Sequence, residues 1–125
     1  MISVGKAYWA VVQYYDGASS KMKFKKRPII VIGRADKNDF VVLPVSSITK
    51  RYNRDAKYDY QIDPTDYPGL KLKHTSFVRT HKQTVLHEAE IVSEICDFKK
   101  EYKEAFLEII TKVSEFQEDL INNAL

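Results

Sequence analysis

Apolar and polar positions divide the chain into two kinds of territory. In the first, apolar residues come in short bursts set apart by Gly, Pro, Asp and Asn; in the second they recur at helical spacing. Residues 7–15, AYWAVVQYY, are rich in aromatic and β-branched side chains and predict a strand that stops at the turn signal Asp16-Gly17. The following ASSKMKFKK is polar and basic without periodicity and reads as a long mobile loop. Residues 27–34 predict a second strand, with Pro28 at its first position, where a missing N–H breaks no ladder bond. The link Asp36-Lys37-Asn38-Asp39 is too short for a parallel crossover, so the third strand, FVVLPVSS (40–47), pairs antiparallel with the second.

Residues 47–57 are again polar and basic, a second loop, and YDYQID (58–63) alternates with period two as a half-exposed strand does. Residues 64–69 form a turn, TSFVRT (75–80) predicts a strand, and HKQTVL with EIVSEIC predicts one further short strand. From Phe98 the pattern changes. Tyr102, Phe106, Ile109, Val113, Phe116 and Leu120 follow at steps of three and four, a helix stripe with Asp97 at the N-cap position. The fold class expected is mainly β with α: a small, strongly curved antiparallel sheet or barrel followed by a C-terminal amphipathic helix, one domain over 1–125.

Composition narrows the function classes. The 44% hydrophobic content suffices for a core and argues against disorder, and no apolar run approaches the ~18 residues that span a bilayer. MISVGKAYW lacks the basic start and apolar stretch of a signal peptide, and the single cysteine, Cys96, allows no internal disulfide or cysteine zinc cluster. The expected location is cytoplasmic, with no membrane partner. Net charge is +3, but unevenly spread: residues 1–86 hold 16 Lys and Arg against 7 Asp and Glu, a balance of +9, and residues 87–125 hold 4 against 10, a balance of −6. A basic body suggests a polyanionic partner such as nucleic acid; the plainer reading is that the two parts neutralise each other across one surface.

The chemistry-bearing residues gather at strand ends. His74, His81 and His87 are never at the i,i+4 spacing of zinc proteases, no glycine-rich phosphate loop occurs, and Cys96 ends a short apolar run as core filler does. No metal and no cofactor are expected. Arg27 opens the second strand, Ser46-Ser47 closes the third, and Arg79-Thr80-His81 closes a later one. Antiparallel neighbours bring the start of one strand beside the end of the next, so Arg27 and Ser46 can meet at one rim. Guanidinium forks, a hydroxyl and an imidazole suit the gripping of phosphate and the movement of a proton. Each residue alone reads more simply as a solvated strand end; only jointly does that plainer reading weaken.

The order of these pieces resembles the MazF/PemK-type toxins of bacterial type II toxin–antitoxin systems. Gly5 and Trp9 flank the start of the first strand, Arg27-Pro28 precedes IIVIG, VVLPVSS closes the third strand, and SFVRTHKQTV (76–85) is similar to a later family segment. The resemblance covers nearly the whole chain. It implies an SH3-like barrel with a C-terminal helix, a homodimer, a cognate antitoxin, and metal-independent cleavage of single-stranded RNA. The implied reaction is attack of the ribose 2′-OH on the adjacent phosphate, leaving a 2′,3′-cyclic phosphate and a 5′-OH. On this resemblance the catalytic residues are Arg27, Ser46, Arg79 and His81, the last standing where relatives carry an aspartate proposed as base.

RNA contacts are expected from Lys23, Lys25 and Lys26, from Ser47 and Thr80, and from the basic strip Lys50, Arg51 and Arg54 with Lys57, interleaved by Tyr52 and Tyr58. Two rivals share the fold. A CcdB-like gyrase-inhibiting toxin would end in a Trp-Gly-Ile tail, whereas this chain ends Asn122-Asn123-Ala124-Leu125. A non-catalytic SH3-like RNA- or protein-binding module would shift RNA in a gel without cutting it.

Overall fold

In the computed structural model, which describes residues 1–125, seven strands curl into an antiparallel half-barrel and a helix follows them. The strands are β1 (Ala7–Asp16), β2 (Lys21–Asp36), β3 (Asp39–Ser46), β4 (Asp59–Ile62), β5 (Ser76–Arg79), β6 (Thr84–His87) and β7 (Ile91–Cys96). The sheet runs β4-β5-β3-β2-β1-β7, and β6 also pairs with β3. One edge of β3 is thus divided: Asp39 to Val42 pair with β6, and Val45 and Ser46 pair with β5. Splitting one edge between two partners helps the sheet curl instead of lying flat. Register shifts at Val31/Gly33 and at Ala7/Tyr8 and Trp9/Ala10 bend it further.

The apolar run Ile29-Ile30-Val31 is buried on both faces, which is why it does not alternate. Ile30 points into a core with Ala7, Leu43, Val45, Val78 and the helix residues Phe106, Ile109 and Val113. Ile29 and Val31 point the other way, into a second core with Tyr8, Ala10, Val42 and Leu86. Truncating any of these fully buried isoleucines to Ala costs about 2–5 kcal/mol, because the lost contacts leave a cavity that relaxes only in part. Gly5 seats the chain's start on this scaffold. Its φ is +91°, its N–H donates to the Val31 carbonyl at 2.8 Å, and a Cβ there would stand 2.8 Å from the Lys99 Cβ.

Three expectations are corrected. Residues 21–26 are not a loop: β2 begins at Lys21, and the ladder with β1 runs out to Asp16↔Lys21. Lys, Met and Phe do alternate there, but both faces are exposed, so no buried side marks the period. The segment after residue 80 yields two strands, β6 and β7, joined by the turn Glu88–Glu90. The helix comes in two pieces, α1 (Phe98–Glu101) and α2 (Lys103–Ala124), separated at Tyr102. The Tyr102 hydroxyl accepts from the Gly69 N–H at 2.7 Å while its ring packs against Tyr67 and Phe98. Asp97 caps α1 as expected, accepting from the Lys100 N–H at 3.3 Å. Burial along the stripe ends near Phe116; Leu120 and Ile121 are exposed.

Candidate active site

Arg27 and Pro28 do not open β2 but stand inside it, opposite Ala10 and Trp9, and register brings Arg27 to Ser46 at the end of β3. Ile29 lies opposite Pro44, and continuing that antiparallel register sets Arg27 opposite Ser46. The Arg27 Nη1 donates to the Ser46 Oγ at 3.1 Å. On the far side of β3, Val45 pairs with Val78 and Ser46 with Phe77, so Arg79 follows at the end of β5. Arg27, Ser46 and Arg79 line one cleft of about 680 Å³, its walls formed by Tyr14, Val42, Pro44, Lys82, Thr84, Leu86 and Glu90. Three adjacent strands each contribute one polar group to its floor.

Both arginines are held. Arg27 is half-buried, and its guanidinium lies 5.8 Å from the Tyr14 ring centroid. Burial lowers its pKa, Tyr14 raises it, and the nearby Arg79 charge lowers it again; the group stays protonated at any ordinary pH. Arg79 rests on Asp59, directly across β4–β5 in register, with Nε to Oδ1 at 3.1 Å and Nη2 to Oδ2 at 3.4 Å. It also donates to the Asn53 carbonyl at 3.1 Å. The Asp59 side chain is only 2% exposed, and its Oδ2 accepts the Asp55 N–H at 2.7 Å. Two guanidinium groups held close in a part-buried cleft, with a hydroxyl between strands, are a set of fixed donors able to grip an anionic oxygen group such as a phosphate.

His81 does not line this cleft. Its ring packs against Tyr58 and Phe116 of α2, with centroids 6.0 and 6.3 Å away. Its buried Nδ1 has no hydrogen-bond partner and stands 3.8 Å from the Asp59 carboxylate. Burial lowers its pKa, against the pull of Asp59, so the imidazole is neutral at pH 7. Thr80 is fully buried, and its hydroxyl donates to the Tyr58 carbonyl at 2.5 Å, so it offers no surface to a ligand. Both residues follow β5 directly, where the chain passes beneath the helix.

The residues expected to touch RNA divide. Lys25, Lys26, Lys50 and Arg51 are exposed and form no ion pair, and Lys50 lies over the Tyr52 ring at 5.9 Å. Ser47 is exposed beside Lys25 and Lys26. Lys23 is paired with Asp16 at 2.9 Å. Arg54 folds back, donating to the Ile48 carbonyl at 3.0 and 2.7 Å and lying over the Phe77 ring. Lys57 is paired with Asp119 of α2 at 2.8 Å, and the Tyr58 hydroxyl donates to the same carboxylate. The acidic helix therefore neutralises part of the basic strip, as the plainer reading of the charge asymmetry has it.

Two residues of the site escaped the sequence, Asp59, which braces Arg79 from behind the cleft, and Glu90, which lines it. Asp59 is one carboxylate within an alternating strand, and its role appears only once it is paired with Arg79, twenty positions on. Glu90 is the only carboxylate lining the cleft; its Oε1 accepts the His87 N–H at 3.2 Å. Cys96 is inert, as its place in the apolar run implies: burial pushes its thiol up to about 11. No group of three or more His, Cys, Asp or Glu side chains is arranged to hold a metal ion, and no helix is long and apolar enough to cross a membrane.

Set against known families, residues 4–114 match the model described as PemK-like, MazF-like toxin of type II toxin–antitoxin system. A search of curated proteins found no match.

Proposed function

The chain belongs to the PemK-like, MazF-like toxins of type II toxin–antitoxin systems, and from that premise we propose that it is an endoribonuclease that cuts single-stranded RNA without a metal. The observation that carries the reading is the Arg27–Ser46 contact at 3.1 Å, in a cleft that Arg79 also lines. A phosphodiester held there has its non-bridging oxygens facing two fixed guanidinium forks. As the ribose 2′-oxygen bonds to phosphorus, the bond to the 5′-oxygen breaks. Negative charge grows on the non-bridging oxygens, where preorganised donors stabilise the transition state more than the ground state. The 2′-hydroxyl loses a proton, the departing 5′-oxygen gains one, and no water is consumed. The products are a 2′,3′-cyclic phosphate and a 5′-hydroxyl.

Ser46, already accepting from Arg27, retains its own proton to donate to the phosphate. We assign uptake of the 2′-hydroxyl proton to a group that lines the cleft, with Glu90 the only carboxylate there. His81, packed under α2 and close to Asp59, acts as a positioning residue behind Arg79 instead of as the base. The antitoxin is a protein whose acidic segment covers the basic rim. A homodimer would cover the exposed Tyr15, Met22, Phe24 and Val85 at the mouth of the cleft.

Incubating the purified protein with a long single-stranded RNA in excess EDTA tests the reading. Discrete cuts bearing 2′,3′-cyclic phosphate support it, and they vanish when the scissile nucleotide is 2′-deoxy. A gel shift without cuts would assign the chain to RNA binding alone.

A further inference from the structure

A second basic surface lies on the opposite side of β2 from the cleft. It is a groove of about 500 Å³ between residues 25–28 of β2 and residues 71–76. Lys25, Lys26, Lys71 and Lys73 line it with His74, and no carboxylate does. None of the four lysines forms an ion pair or donates a side-chain hydrogen bond. That separates them from Lys6, Lys23 and Lys57, each neutralised by a carboxylate. Trp9, half-buried, forms part of the floor, and the Lys26 Nζ lies 5.8 Å from its ring centroid. Arg27 lines both the groove and the cleft, so the two meet at one residue.

Four unpaired ammonium groups with no carboxylate among them create a local positive potential that an anion relieves. An aromatic face among them adds what a simple phosphate site lacks, a platform for an unpaired base. Because Arg27 lines both, the groove adjoins the cleft, and an extended anion leaving the cleft past Arg27 has it within reach. We propose that this groove binds the nucleotides flanking the cleaved bond: lysines at 25, 26, 71 and 73 contact successive phosphates, and Trp9 stacks one base. This inference rests on the RNA-cleaving reading above. It adds a subsite on a segment, 71–74, whose charge the sequence pattern gives no reason to single out.

Trp9 is the only tryptophan in the chain, so its fluorescence reports groove occupancy directly. The probe is a single-stranded RNA carrying one 2′-deoxy nucleotide at the cut site, long enough to extend past the cleft, titrated at several salt concentrations. Saturation should quench Trp9, and a Lys71→Gln/Lys73→Gln double variant should bind at least about tenfold more weakly. Its log Kd against log salt should flatten by about 1.4, since each phosphate contact on a single strand contributes ~0.7. Unchanged Trp9 fluorescence at saturation, or an unchanged salt slope in the double variant, overturns the groove while cleavage by the wild-type protein leaves the nuclease reading intact. Unaltered RNA binding with loss of binding to an acidic peptide would likewise overturn it, assigning the groove to a protein partner. Absence of any cleavage of the all-ribo RNA by the wild-type protein contradicts the nuclease reading itself.

Discussion

The two sides of β2 near its apolar half carry similar charge and hold it differently. On the cleft side, Arg27 bonds to Ser46 and Arg79 is braced by the buried Asp59. On the groove side, Lys25, Lys26, Lys71 and Lys73 stand exposed without partners. Fixed donors stabilise charge that develops at one point in space, whereas mobile ammonium groups attract a polyanion wherever its phosphates fall. On the proposed nuclease reading, the cleft side would govern rate and the groove side affinity. The residue types suit that difference, since a planar fork such as that of Arg27 or Arg79 gains from being locked and a flexible lysine stem gains from being free.

The contrast can be broken from the cleft side first. Arg27→Lys keeps the charge and removes the fork, so cleavage at saturating RNA should fall on the order of 10²–10³-fold, the usual loss when one preorganised donor is removed. Asp59→Asn frees Arg79 without touching it. We expect a loss of roughly tenfold to a hundredfold in rate, since misplacing a group by about 1 Å costs on the order of 10²-fold. The variant should also lose about 1–3 kcal/mol of stability for the weakened buried contact. Restoring the carboxylate as Asp59→Glu should recover rate only in part, and chemical denaturation beside single-turnover kinetics separates the two effects. If the fold is destabilised while the rate per folded molecule is untouched, Asp59 is structural only.

A smaller effect concerns His81 and pH. Burial holds its pKa below the ordinary 6.5, so the folded protein prefers the neutral imidazole. The unfolded chain then binds more protons just below pH 6.5, and stability falls as pH drops through that value. Asp16, Asp55 and Asp119, all lowered from 3.8, contribute only in a more acidic window, where their loss on protonation adds to acid unfolding. Replacing His81 by Gln should flatten the stability profile just below 6.5 and leave the acidic limb in place. A cleavage rate that drops through the same window at constant folded fraction would instead return His81 to the role of base.

Much of the fold is legible in the pattern of residues. The unbroken Ile29–Ile32 run marks a strand buried on two faces, and the steps from Phe98 mark the helix. The hairpin extension 21–26 was hidden because its strand has no buried side; backbone pairing alone carries it. Arg27 and Ser46 were legible as partners because a short link forces neighbouring strands into antiparallel register. Thr80 was not legible as buried, nor His81 as packed against the helix, since nothing local records the Tyr58 carbonyl over the one or Phe116 of α2 beside the other. Asp59 and the lysines at 71 and 73 share that limit. Their company is set by pairings and loops far apart in sequence.

The most direct measurement is the single-turnover cleavage rate of single-stranded RNA in EDTA, at saturating protein, for Arg27→Lys beside the wild-type chain. Cyclic-phosphate products are expected from both, with the variant slower by on the order of 10²-fold or more and RNA affinity changed far less. Equal rates for the two proteins would contradict that expectation, because a fork that can be exchanged for a point charge without loss is not the group that stabilises the transition state.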